Sequence, residues 1–239
     1  MFVIKKLNFY SVIFFFLIFI VISYIFVAMQ VNNNLSKDDL IIIKKLNLDN
    51  DCKLIGTFRA ELNCFQSVQK TIQTILIKKG PEFQNSCEKG ASAEPKYFME
   101  RGYGCCVQYS RLIEKTLNYY EFETRHVFMI KSHNGNSLFN ILPLNQQSHA
   151  GTEVLTSIGW MGVDSISPII MVNNKNNKFR VYKYKDIIDN KKIRELFTEN
   201  NFYDQDLDLI YGLYSRHGKF YGLNFPGPEF NLREILYNL

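Results

Sequence analysis

The chain has 239 residues, of which 46% are hydrophobic, 15% aromatic and 21% charged, with a formal net charge of +5. This composition excludes a disordered tail, a collagen-like repeat and a polytopic transporter, and it leaves enough apolar residues for one or two domains with a sizeable core. Without Lys5 and Lys6 there remain 26 basic against 23 acidic residues, scattered apart from doublets such as Lys44-Lys45, Lys78-Lys79 and Lys191-Lys192. A nucleic-acid binder concentrates its basic residues in a stripe, so no nucleic-acid partner is expected.

Seven of the 20 phenylalanines fall in the first 30 residues, and no charged residue lies between Phe9 and Met29. About 20 apolar residues at 1.5 Å rise per residue cross a hydrocarbon core. Lys5 and Lys6 precede the run and no acid comes before Asp38, which keeps the N-terminus cytoplasmic and places the body across the membrane. The rival is a cleaved signal peptide, with a shorter apolar core and a small-x-small cleavage site; Val27-Ala28-Met29-Gln30 fits that poorly. Residues 1–30 are therefore read as an anchor, 31–50 as an Asn-rich juxtamembrane linker with a short helix near Asp38–Leu48, and 51–239 as the body.

In the body, Phe65, Val68, Ile72, Ile75 and Leu76 recur at helical spacing. The helix is predicted over Asn63–Lys79, with Asn63 as N-cap, Gln66 at the third position and Gly80-Pro81 as the stop. Residues 81–101 read as loop. A second helix runs from Cys106 to about Tyr120, with Cys106, Tyr109, Ser110, Ile113 and Leu117 on one face. Strands are predicted at Thr124–Lys131, His149–Leu155 and Gly159–Asp164. Ile169–Val172 and Lys178–Tyr184 form a hairpin pattern around Asn173–Asn177. Asp186–Asn200 returns to helix, Pro226-Gly227-Pro228 is a turn, and Asn231–Tyr237 is a last short helix. Helices followed by antiparallel strands make an α+β fold.

There are five cysteines: Cys52, Cys64, Cys87, Cys105 and Cys106. Outside the cytoplasm disulfides are permitted, and four of the five pair in one of three ways. No CxxC or HxxxH spacing points to zinc. Cysteine catalysis needs a thiol held partly as thiolate, an imidazole to exchange the proton, and a group that fixes the imidazole. Cys106 begins a helix just after Gly102-Tyr103-Gly104, where helix dipole and free N–H groups favour an anion. The histidines are His126, His133, His149 and His217. His149 opens one strand and Asp164 ends the next, so on an antiparallel hairpin the two meet.

At this point the residues resemble the transglutaminase-like superfamily of papain-like fold. Arg101 with Gly104-Cys105-Cys106-Val107-Gln108-Tyr109-Ser110, then Thr124-Arg125-His126-Val127, His149-Ala150-Gly151-Thr152-Glu153-Val154 and Gly159-Trp160-Met161-Gly162-Val163-Asp164 follow the order and spacing of its bacterial members across Asn63–Ser165. The pattern departs at Gly151, where the family has an aromatic, and at Ser165, where it has proline.

The resemblance implies a papain-like core with the nucleophile's helix packed on an antiparallel sheet, and a catalytic triad of Cys106, His149 and Asp164. It selects Cys106 over Cys105, because Tyr109 and Ser110 sit where the family has an aromatic and a small residue. Cys105 would then pair with Cys87, and Cys52 with Cys64. The oxyanion side chain is unplaced, with Gln66 and Gln69 as guesses. Arg125 is expected to hold the fold through an ion pair, and the polar stretch Tyr214–Lys219 to be a loop or to line a groove. The implied protein is an inner-membrane, single-pass cysteine hydrolase or acyltransferase with a periplasmic body. It would act on a peptide- or amide-containing substrate through a thioester, hydrolysis favoured, with no metal or organic cofactor. The competing classes are a non-catalytic envelope binding module on the same fold and a redox sensor built on Cys105 and Cys106.

Overall fold

The computed structural model describes residues 9–31, 33–53, 56–77, 92–132, 147–197, 202–215 and 228–238. Cys87, His133, His217, Lys78, Lys79 and most of the turn at Pro226-Gly227-Pro228 lie outside them.

Helix α1 (Phe9–Met29) is apolar on every side. Its Ser11–Met29 stretch has a mean hydropathy of 3.0 with no buried residue, long and apolar enough to cross a membrane. The chain leaves it docked on the body: the Val31 N–H donates to the Phe230 carbonyl at 2.7 Å, and the Phe26 and Phe230 rings lie 5.1 Å apart.

Helix α2 (Lys37–Leu46) starts in a capping box. Ser36 Oγ accepts the Asp39 N–H at 3.1 Å, and Asp39 Oδ2 accepts the Ser36 N–H at 2.8 Å. The helix buries Ile42, Ile43 and Leu46. Helix α3 (Asp49–Cys52) follows, and a disulfide joins Cys52 to Cys64. Within the segment expected as a 31–50 linker, the short helix expected near Asp38–Leu48 is α2, and its apolar face packs on the body.

Helix α4 runs over Phe58–Ile77, five residues ahead of the expected start. Thr57, not Asn63, supplies the cap, its Oγ1 accepting the Ala60 N–H at 3.3 Å. Phe58 and Leu62 are buried and extend the apolar stripe upstream, leaving Asn63 exposed inside the helix. Helix α5 (Pro95–Arg101) occupies the end of the expected loop, with Pro95 at its first position and Gly102 at φ 71° as its C-cap. Helix α6 covers Cys106–Tyr119.

Strands β1 (Thr124–Lys131), β2 (Ser148–Thr156) and β3 (Gly159–Asp164) fall within a residue of the expected bounds. Strands β4 (Val172–Lys175) and β5 (Lys178–Val181) form the expected hairpin, but its first strand lies further along the chain. Asn176 and Asn177 alone make the turn, at φ 54° and 59°, the positive values a two-residue turn requires. The helix expected at 186–200 is split into α7 (Tyr184–Asp189) and α8 (Lys191–Arg194). Asn190 between them is extended, and its side chain caps α8 through the Lys192 and Ile193 N–H groups. Then come β6 (Leu207–Tyr211), β7 (Leu213–Ser215), β8 (Glu229–Phe230) and α9 (Leu232–Ile235), the last capped by Asn231.

The main sheet is antiparallel, in the order β3-β2-β1-β6. Helices α4 and α6 cover one face, where Phe65, Val68, Ile72, Leu112 and Ile113 meet Val154, Met161 and Val163. The other face carries Val127, Met129 and Tyr211 against Tyr184 and Ile187 of α7. The architecture is α+β with one N-terminal apolar helix.

Candidate active site

Cys106 is the first residue of α6 and the free cysteine among the described residues, partly exposed. The turn before it is held by Gln108, whose Oε1 accepts the Cys105 N–H at 3.1 Å while Nε2 donates to the Ser92 carbonyl at 2.7 Å. Gly104 is required there, since the Gln108 amide and the Phe98 ring fill the space of a side chain. Cys105 is buried and disulfide-bonded. Its expected partner, Cys87, is outside the described residues.

The β2–β3 register sets Gly151 opposite Asp164. His149, two residues along β2, therefore shares a sheet face with Asp164 as a diagonal neighbour. Its Nε2 lies 3.0 Å from Asp164 Oδ2, which leaves Nδ1 to exchange a proton. Cys106 lies close enough to His149 to favour the charged imidazole. The structure thus brings Cys106, His149 and Asp164 into one linked row.

Electrostatics follow from this contact. Burial works against the charged imidazole, but the Asp164 carboxylate beside it, the hydrogen bond to Asp164 and the nearby Cys106 outweigh burial and raise His149 to about 10. Burial likewise opposes the Asp164 charge, yet the His149 charge and the bonds from His149, Tyr203 and the Ser167 N–H hold it below the usual carboxylate value.

The departure at Gly151 has a local cause. Any side chain there would meet the hydroxyl of Tyr184, which reaches over from α7 and donates to the Val163 carbonyl at 2.9 Å. Behind Asp164, Oδ1 accepts the N–H groups of Ile166 at 2.8 Å and Ser167 at 2.6 Å. Gln69 fastens that loop, its Nε2 lying 2.9 Å from the Asp164 carbonyl, 3.1 Å from that of Ser167 and 2.9 Å from that of Ile169. Gln69 is thereby committed to the loop, and Gln66 is exposed on α4. Neither guess for the oxyanion side chain holds.

Two residues escaped sequence reasoning. Phe202 sets its ring 5.3 Å from His149, and Tyr203, fully buried, donates its hydroxyl to Asp164 Oδ2. They lie 38 and 39 positions after Asp164, with no motif attached.

Other singled-out residues serve the frame. Arg125 binds Glu153 Oε2 through Nε at 2.8 Å and Nη2 at 2.5 Å, and its guanidinium lies over Trp160, Tyr211 and Tyr237. His126 points to the opposite face, 2.7 Å from Glu114 Oε1 and 3.0 Å from Ser110 Oγ. This Ser-His-Glu grouping is closed to solvent and can receive no substrate. Tyr214 is buried, its hydroxyl bonded to Glu114 and Glu234, and does not line a groove; residues 216–219 are outside the described set. A cavity of about 680 Å³ beside the end of α1, lined by Gln30, Asn118, Arg233 and others, contains none of the three linked residues. Its lining holds neither a cysteine nor a histidine. Among the described residues, no cluster of three or more His, Cys, Asp or Glu is placed to hold a metal ion. No family model, no curated protein and no solved structure matches this chain.

Proposed function

We propose that this chain is a cysteine enzyme of the transglutaminase-like, papain-like kind, held in the inner membrane by α1 with its body on the periplasmic side. It acts on amide or ester carbonyls of a peptide- or amide-containing substrate, and hydrolysis is favoured over transfer to an amine. The observation that carries the reading is the row Cys106–His149–Asp164, with the free thiol at the start of a helix and a buried carboxylate on the far nitrogen of the imidazole. A positive helix end and an imidazolium are the surroundings in which sulfur serves as a nucleophile.

In this reaction Cys106 Sγ attacks the carbonyl carbon and the C–S bond forms as the carbonyl π electrons move to oxygen. N–H groups at the start of α6 face the developing oxyanion. The tetrahedral species collapses, the C–N or C–O bond breaks, and the leaving group takes the proton of His149. Water then gives a proton to His149 and attacks the thioester. The C–S bond breaks, the acid departs, and thiolate and imidazolium are restored. Asp164 keeps the ring oriented throughout.

The test is acylation of the full chain in detergent by p-nitrophenyl acetate, read by mass spectrometry. The expected result is one acetyl group on Cys106, removed by hydroxylamine and absent in Cys106→Ala and His149→Ala. No acetyl on Cys106, in a chain that is folded, would instead indicate a binding module.

A further inference from the structure

Asp164 is surrounded by donors. Oδ1 takes the Ile166 and Ser167 N–H groups, and Oδ2 takes both His149 Nε2 and the Tyr203 hydroxyl. The backbone donors belong to the loop that Gln69 fixes. Tyr203 is a second side chain, after His149, that reaches this carboxylate. It has no solvent contact, and Phe202 beside it lies against the imidazole.

We infer that Tyr203 is a positioning residue of this site: its hydroxyl competes with His149 for Asp164 Oδ2 and so limits how tightly the carboxylate holds the imidazolium. The inference rests on the Cys106–His149–Asp164 reading and adds to it. A carboxylate that already accepts three other hydrogen bonds presents less negative charge to a fourth partner. The imidazolium must give its proton to a leaving amine, and an undiluted buried carboxylate would hold that proton too firmly. The charged or titratable groups around the pair are Cys106 from α6, Asp164 from β3, and Tyr184 from α7 together with Tyr203. Burial and the Asp164 charge push both tyrosines well above their ordinary values, so each stays a neutral hydrogen-bond donor.

The readout is the pH profile of Cys106 alkylation by iodoacetamide, on the full chain in detergent. The rate rises a second time at alkaline pH, where the imidazolium loses its proton and leaves a bare thiolate. Removing the hydroxyl in Tyr203→Phe strengthens the Asp164–His149 pair, so this alkaline step moves up by about half a unit to one unit, the worth of one hydrogen bond. Placing 3-fluorotyrosine at position 203, a stronger donor, moves it down and covers the case in which Tyr203→Phe folds poorly. A step that stays put or moves down in Tyr203→Phe, or does not respond to the fluorinated residue, overturns the inference alone. Slow wild-type alkylation that His149→Ala does not change overturns the underlying reading as well.

Discussion

The hydroxyl of Tyr184 occupies the volume that a side chain at position 151 would need. One residue of α7 thus explains why β2 carries glycine directly opposite Asp164. Gly151→Ala drives a methyl group into that hydroxyl and breaks its bond to the Val163 carbonyl. The expected loss is about 1–3 kcal/mol, as for other overpacked cores. The double variant Gly151→Ala/Tyr184→Phe recovers part of it, because the hydroxyl is the closest atom. Denaturant unfolding of the two proteins in detergent checks both statements.

Gln69 separates a structural from a catalytic role. Its amide serves three carbonyls of the loop after Asp164, and in Gln69→Leu the Ile169 carbonyl keeps the Asp164 N–H and the Ser167 carbonyl keeps the Gln73 amide, so the cost is that of the lost hydrogen bonds, about 1 kcal/mol. Alkylation of a thiol creates no oxyanion. A residue whose sole task was to bind an oxyanion would therefore leave iodoacetamide reactivity unchanged when mutated. Gln69→Leu is expected to slow it, through loss of the Asp164 backbone position.

The pair Lys115–Asp39 tests how firmly α2 belongs to the body. The two charges lie 2.6 Å apart and each side chain is 2% exposed. Asp39→Ala leaves Lys115 its contact with the half-exposed Glu94 but removes the buried partner. The expected destabilisation is about 1–3 kcal/mol, less than for a buried charge left with no partner. In Asp39→Ala/Lys115→Met the loss is smaller than the sum of the two single losses. A free tether would show neither effect in thermal unfolding.

The pH dependence of stability follows from two opposite shifts. His149 is raised in the folded state to about 10, so its contribution is full below about pH 6.5 and fades as pH climbs toward 10. Asp164 is lowered, so its contribution is present above about pH 3.8, the ordinary value, and disappears as pH falls below it. The stability difference between wild type and His149→Gln should therefore shrink steadily from pH 7 to pH 10. Denaturant melts at fixed pH values across that range measure it.

Much of this was legible in the sequence where local signals and tertiary packing agree. Thr124–Lys131 carries β-branched and aromatic residues and Gly159–Asp164 follows a turn, and they are strands within those bounds. The meeting of His149 with Asp164 followed from hairpin register alone. Asn63 misled because a good capping residue also tolerates an exposed site inside a helix, and the weaker-looking Thr57 closes the turn instead. Strand β6 went unseen because Leu207-Asp208-Leu209-Ile210-Tyr211 does not alternate cleanly; it is a strand because β1 offers it an edge. Tyr203 had no sequence signal, since its role depends on a turn that returns to Asp164 from 39 positions away.

The most direct test of the central claim compares rates of Cys106 alkylation by limiting iodoacetamide at neutral pH in the folded full chain, the urea-denatured chain and His149→Ala. The account predicts fast modification in the folded wild type, lost in both of the others. Equal rates in all three would contradict it, because a thiol that gains nothing from His149 and Asp164 is not a nucleophile made by this fold.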